Sequence, residues 1–174
     1  WARPPNTPFR RHKTWVHEGG ISTPFIVHWP AGFAARGEVR HTPIHLIDLF
    51  PTALDVAGIK KPKLVEGVEV PPSPGRSIVP AFRKDLTQLH DSLWWFHEGN
   101  RALRVGEWKV VALAKGEWEL YDLRRDRGEE HNLAGEQPER LKDMVTRWTA
   151  QFDDIKTLAL AGPPPVSPAS PGKK

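Results

Sequence analysis

Residues 93–123 read LWWFHEGNRALRVGEWKVVALAKGEWELYDL. Leu93 to His97 is an aromatic-rich run, and Ala102 to Val105 and Trp108 to Leu113 flank Gly106-Glu107, a two-residue turn. Ala114 to Glu117 contains Gly116 and makes a second turn before Trp118 to Leu123. The pattern predicts an antiparallel meander of three or four strands. A helix follows: Pro138 opens it, and Leu141, Met144, Val145, Trp148, Phe152 and Ile155 have helical spacing. Trp94, Trp108 and Trp118, with Trp95 adjoining the first, are expected to pack on it. A meander with one amphipathic helix makes a small α+β unit.

Working outward, residues 1–13 are rich in Pro and Arg and read as an irregular loop. Phe25, Ile26 and Val27, between Pro24 and Pro30, predict a brief buried strand. Residues 42–58 look helical, with Thr42 as N-cap, Pro43 at the first position and Gly58 as the stop. Leu46, Leu49, Phe50, Ala53, Leu54 and Ala57 share one face, and Pro51 is expected to kink the helix. Residues 59–90 carry five prolines and read as a passage with little regular structure. From Gly162 onward five of 13 residues are proline, which predicts disorder.

The 174 residues contain no cysteine, which removes disulfides and cysteine nucleophiles from this stretch. No apolar run approaches the roughly 20 residues of a membrane-spanning helix. The net charge of +4 is local. Arg3, Arg10, Arg11 and Lys13 lie in the first 17 residues without an acid, and Lys173 and Lys174 end the chain. Without those six, 19 basic residues face 21 acidic ones, too even a balance for a nucleic-acid footprint spread over the domain.

The densest chemistry lies in residues 9–24, FRRHKTWVHEGGISTP. Cationic donors precede the Gly19-Gly20 pair, where the backbone can take conformations closed to other residues. Lys13 is a flexible point charge with three donors, suited to an oxyanion or to charge building on a leaving oxygen. On composition alone, a solvated basic loop is the competing reading.

The spacing Lys13-x4-Glu18-Gly19-Gly20-x3-Pro24, followed by His28-Trp29-Pro30, resembles the second signature region of type I sulfatases. Asp48-Leu49-Phe50-Pro51-Thr52 with Leu54-Asp55-Val56-Ala57-Gly58 is similar to the helix that follows in that family. So are His97-Glu98-Gly99-Asn100-Arg101-Ala102-Leu103-Arg104 with Trp108-Lys109, and Trp118 to Leu123 with Glu130-His131-Asn132-Leu133. The resemblance runs in order over about residues 6–150.

It implies the C-terminal part of an alkaline-phosphatase-like α/β fold. Residues 1–60 would end the large catalytic domain, 61–87 would be a Pro-rich linker, 88–156 a small antiparallel sheet with one packed helix, and 157–174 a disordered tail. With its neighbouring strands upstream, the 1–60 segment is expected to leave apolar surface uncovered, and 88–156 to be more self-contained. The family hydrolyses sulfate esters with a formylglycine made from a C/S-x-P-x-R motif and uses calcium. Neither the motif nor the metal's paired ligands stand in these residues: Ser73-Pro74-Gly75-Arg76 lacks the order, and Asp153-Asp154 reads as a solvated helix face. The nucleophile and the calcium ligands are therefore expected upstream, and the 174 residues alone to be inactive.

Within this part the resemblance assigns Lys13 as the catalytic lysine that contacts the sulfate. His97 and Arg101 are candidate substrate-binding residues, an imidazole donor and a guanidinium fork. The competing reading pairs Glu98 with Arg101 across a turn at Gly99-Asn100. Arg10, Arg11 and His12 are expected at the rim, His17 as a hydrogen-bonded loop histidine, and His28 as a core or cleft-edge group. The implied partner is a sulfated small molecule or carbohydrate, with neither nucleic acid nor membrane, and a periplasmic or secreted location. A phosphonate or phosphate ester hydrolase and a non-catalytic polyanion-binding module are the alternatives.

Overall fold

The structure is a computed structural model that describes residues 7–34, 37–86 and 88–161. Its largest sheet is the expected meander, with strands β3 (Leu93–His97), β4 (Asn100–Val105), β5 (Trp108–Ala112) and β6 (Glu119–Asp122) in sequential antiparallel order. The first turn is Glu98-Gly99, one residue earlier than the sequence reading placed it. Both residues lie at positive φ, 49° and 78°, as a two-residue hairpin requires, so Asn100 becomes the first residue of β4 and pairs with His97. Gly106-Glu107 joins β4 to β5 as expected, with Val105 opposite Trp108.

Alternation gives the sheet two different faces. Trp94, Leu103, Val110 and Leu120 lie in one cross-strand row and meet α3 (Pro138–Leu160), which contributes Met144, Trp148 and Phe152. Trp148 stacks on Trp94 at 5.5 Å and meets Trp118 edge-on at 5.4 Å. Three of the four tryptophans thus pack on the helix side, whereas Trp95 packs on the other face with Val16, Ala102 and Val111. The helix runs past the expected end at residue 155, through Leu160, so residues 157–160 are helical rather than disordered tail. Residues 162–174 lie outside the described residues. Asp153 and Asp154 are exposed, as expected of a solvated face.

The chain forms two compact units: Trp1–His28 with Asp91–Thr157, and Trp29–His90 with Leu158–Lys174. The first joins the N-terminal segment to the meander. Within it, Phe25–Val27 forms no strand, and Phe25 and Ile26 are exposed at 49% and 88%. A buried strand needs ladder partners on its flanks, and no strand among the described residues pairs with it.

The second unit holds a single 3₁₀ turn, Leu46–Asp48, leading into α2 (Leu49–Val56). Thr42 does not cap this helix. His45 does, its ring accepting from the Ile47 N–H while Asp48 accepts from the His45 N–H at 2.8 Å. Thr42 instead bonds Asp85 and Leu86. Pro51 sits in the first turn of α2, where its missing N–H costs nothing, so it does not interrupt the helix. Gly58 at φ 66° ends it, with Ile59 N–H on the Leu54 carbonyl and Gly58 N–H on Asp55.

The burial of α2 is the reverse of the expected apolar face. Leu46 and Phe50 are exposed, while Asp48 and Thr52 are buried. The reason is the proline-rich passage: Asp48 accepts from the Arg76 N–H at 2.9 Å and pairs with His90 at 2.8 Å, and Thr52 accepts from the Ile78 N–H at 3.0 Å. A Cβ on Gly75 would stand 2.0 Å from the Ile47 carbonyl oxygen. The passage is therefore fastened to α2, and it adds a short hairpin of β1 (Leu64–Val65) and β2 (Val68–Glu69) and a 3₁₀ turn at Val79–Phe82.

Candidate functional site: the Lys13 loop on the sheet

The Gly19-Gly20 pair belongs to α1 (Glu18–Ile21), a single helical turn, and neither glycine lies at positive φ. Their role is close approach rather than unusual dihedrals. A Cβ at Gly19 would stand 2.2 Å from the Arg10 carbonyl oxygen, and one at Gly20 1.8 Å from that of Trp15. Residues 10–15 thus wrap around the glycine turn with their carbonyls inward. Gly19 N–H bonds the Arg10 carbonyl at 3.0 Å, and Trp15 N–H bonds that of His12 at 3.2 Å. Lys13 stands exposed at the apex of this wrap. The backbone around it is unusual: Arg11 has φ 69° and Thr14 φ 89°, a conformation uncommon for any residue with a side chain and an outlier for a β-branched one.

Beneath the loop lies the second face of the sheet, and it is polar. Lys109, fully buried on β5, places its ammonium 3.0 Å from Glu18 and 2.8 Å from Glu129, both buried carboxylates. Glu18 N–H donates to the other Glu129 oxygen at 2.8 Å, and Arg127 pairs with Glu18 at 3.0 Å. Burial pushes the Glu18 carboxyl up, but the Lys109 ammonium and the Arg127 guanidinium outweigh it and hold it below the usual carboxylate range. Two cations and two carboxylates make the cluster neutral, which is what lets it stay buried.

A second chain of contacts runs beside it. His17, fully buried, meets Glu119 at 3.2 Å, and the Tyr121 hydroxyl donates to the same Glu119 oxygen at 2.5 Å. Arg10 donates to Tyr121 at 3.2 Å and to the Glu129 carbonyl. The His17 bond, the Tyr121 hydroxyl and the charge of Arg10 outweigh desolvation and hold the Glu119 carboxyl down at about 2. Desolvation and the Glu119 carboxylate push the Tyr121 hydroxyl up. His17 is the hydrogen-bonded histidine expected. Arg10 is not a rim residue, because its guanidinium reaches across to the sheet. Arg11 lies over the Trp15 ring at 5.4 Å and His12 meets the same ring edge-on at 4.5 Å. His28 is exposed.

The structure separates the two hairpin candidates. His97 shares the face of Asn100 and Lys109, on the loop side, and is exposed beside Glu98 at 3.9 Å. Asn100, its cross-strand partner, reaches the loop directly: its side-chain amide donates to the Thr14 carbonyl at 3.2 Å and to the His97 carbonyl at 3.1 Å. Arg101 points to the opposite face. It donates to the carbonyls of Leu113 at 2.8 Å and Gly116 at 3.1 Å and lies 4.8 Å over Trp118, which packs on α3. The expected Glu98–Arg101 pair is replaced by these contacts, since alternation puts Arg101 under the next loop of the meander. Lys13 and His97 are on one side of the sheet and Arg101 is on the other.

Sequence reasoning passed over Lys109, Glu119, Tyr121, Arg127 and Glu129. The available signal was alternation: Lys109 falls between Trp108 and Val110, so it must face away from the α3 side. A lysine at a strand centre on a covered face needs paired acids. Among the described residues no group of three or more His, Asp or Glu is arranged to hold a metal ion, so these residues do not fit a calcium site. No helix among them is long and apolar enough to cross a membrane.

Comparison with known proteins agrees with this arrangement. Residues 10–157 match the family described as N-sulphoglucosamine sulphohydrolase, C-terminal. An uncharacterized sulfatase of Schizosaccharomyces pombe is 31% identical over 155 residues, covering 85% of this chain and 28% of that protein. The N-acetylgalactosamine-6-sulfatase of Mus musculus is 32% identical over 109 residues, covering 60% of this chain and 19% of the enzyme. The crystal structure of Ps i-CgsB superimposes with a TM-score of 0.64 at 25% identity, over 84% of this chain and 32% of its own. The chain thus spans about a quarter of the length of such relatives. The matched stretch takes in both the Lys13 loop and the whole meander with α3, so the chain belongs to the N-sulphoglucosamine sulphohydrolase C-terminal family and corresponds to the C-terminal part of a type I sulfatase.

Proposed function

We propose that this chain supplies the lysine-bearing part of an enzyme that hydrolyses sulfate esters of carbohydrates, with Lys13 contacting the sulfate. The observation that carries this reading is the mounting of Lys13. An exposed ammonium stands at the apex of a loop whose base is tied to the sheet by a buried, neutral ion cluster. Cleavage of a sulfate ester at the sulfur–oxygen bond builds negative charge on the departing oxygen. A cation fixed before the reaction stabilises that charge without reorganising during it. His97, exposed on the same face, is the second donor, directed at the sugar or a sulfate oxygen. Arg101 serves the meander, binding carbonyls behind the site.

Sulfated carbohydrate as the substrate class rests on the family description and on the amino-sugar sulfatase among the relatives. In this reading the formylglycine and calcium belong to residues outside this chain, and the residues described here hold and orient the sulfate. The test uses the full-length protein and a chromogenic aryl sulfate or a sulfated amino sugar. Lys13→Ala is expected to lower kcat on the order of 100-fold, the scale of losing one oxyanion donor, with the thermal midpoint unchanged because the side chain is exposed. The 174 residues alone are expected to release no sulfate. Full activity of Lys13→Ala would remove Lys13 from the reaction.

A further inference from the structure

We propose that Asn100 is a positioning residue for Lys13: its side-chain amide, buried at the β3–β4 turn, holds the Thr14 carbonyl and so fixes the strained Arg11–Thr14 bend that carries the ammonium. The inference rests on the reading that Lys13 contacts sulfate. Asn100 is only 5% exposed, and its amide donates both to Thr14, across 86 residues of sequence, and to His97 within its own hairpin. One amide therefore ties the loop's far limb to the hairpin that presents His97.

The need for such a tie comes from the backbone. Thr14 at φ 89° and Arg11 at φ 69° bracket the lysine in conformations that persist only where the surroundings over-determine them. The near limb of the loop is well held: Arg10 reaches Tyr121 and Glu129, and the Arg10 and Arg11 carbonyls crowd Gly19. The far limb has the Trp15 carbonyl against Gly20, the Trp15–His12 turn bond and the Asn100 amide on Thr14. Without that amide, Thr14 can relax toward negative φ. A change there swings the residue before it, so the ammonium moves while the buried cluster beneath Glu18 stays in place.

Asn100 touches neither substrate nor reacting atoms in this account, so it acts entirely through Lys13. That makes a mutant cycle decisive. In the full-length protein, Asn100→Ala is expected to lower kcat on an aryl sulfate by roughly 10- to 100-fold, the scale of a displaced catalytic group, with KM little changed. In a Lys13→Ala background the same substitution should cost nothing further. Equal losses in both backgrounds, or no loss in either, would overturn the proposal.

Limited trypsinolysis gives a readout independent of turnover. Cleavage after Lys13 should speed up in Asn100→Ala while cleavage at other sites keeps its rate. An unchanged rate at Lys13 would overturn the proposal whatever the kinetics. If Lys13→Ala alone keeps the wild-type rate, the sulfate-contact reading fails, and with it the catalytic part of this inference. The trypsin comparison still decides whether Asn100 holds the loop.

Discussion

The two faces of the four-stranded sheet are built from opposite materials. Toward α3 the contacts are Leu103, Val110, Leu120, Met144 and a stack of Trp94, Trp148 and Phe152. Toward the N-terminal loop, only a small cluster around Val16, Ala102 and Val111 is apolar, and the rest is Lys109, Glu18, Glu129, His17, Glu119 and Tyr121. Apolar packing is non-directional and tolerates small slides. A buried ion cluster is directional: each charge has defined partners at about 3 Å, and any displacement leaves a charge unmet. The apolar face makes the unit stable, and the polar face places one loop.

The comparison breaks most sharply at Lys109. Lys109→Met leaves Glu18 and Glu129 buried at close range without their shared cation, and is expected to cost about 3–5 kcal/mol in urea unfolding. It should also open the loop to trypsin at Arg10, Arg11 and Lys13. Adding Glu129→Leu should recover part of the stability without restoring loop protection. A loss below about 1 kcal/mol for Lys109→Met would mean that the cluster does not pin the loop. On the other face, Leu120→Ala removes a fully buried side chain opposite Val110 and is expected to cost about 2–4 kcal/mol through the cavity it leaves. Its distinguishing outcome is local: loop cleavage at low trypsin should keep the wild-type rate, because no partner of the loop has changed. If Leu120→Ala frees the loop as much as Lys109→Met does, the two faces are not separable.

What could be read from sequence follows the same division. The meander and α3 were legible because apolar periodicity and turn residues are local signals, and the strands fall within one or two residues of their expected limits. Lys13 was legible because it stands in a short signature with Glu18-Gly19-Gly20. The polar face was not, since its partners lie far apart: Glu18 meets Lys109 across 91 residues and Glu129 across 111. No local pattern announces which charge will be buried until the strand alternation is fixed. Residues 42–58 failed for a related reason. A helical apolar stripe was visible at Leu46 and Phe50, but Asp48 and Thr52 had distant backbone donors to satisfy at Arg76 and Ile78, and those set the burial. Arg101 was misplaced by a single step of register. Moving the turn from Gly99-Asn100 to Glu98-Gly99 settles which residues face the loop, and it is Asn100 that does.

The smallest expected effect is a pH dependence confined to the polar face. Glu119 falls from an ordinary 4.5 to about 2 in the folded chain, held there by His17, Tyr121 and Arg10. A carboxyl that is more acidic when folded stabilises the fold above its unfolded pKa. That contribution disappears as pH falls from about 4.5 to about 2, where the folded form must also take up the proton. Glu119→Gln keeps an acceptor for Tyr121 but cannot titrate. Its unfolding free energy should therefore lie below that of the wild type at neutral pH and change less steeply across this interval, the two curves converging near pH 2. Some acid sensitivity should remain, because Glu18 is also held below the usual range. Loop cleavage by pepsin over the same interval should rise in the wild type. Leu120→Ala, whose lesion carries no titrating group, should show the wild-type slope on a lower curve. Parallel acid limbs for wild type and Glu119→Gln would show that the Glu119 contacts do not bear on how the loop is held.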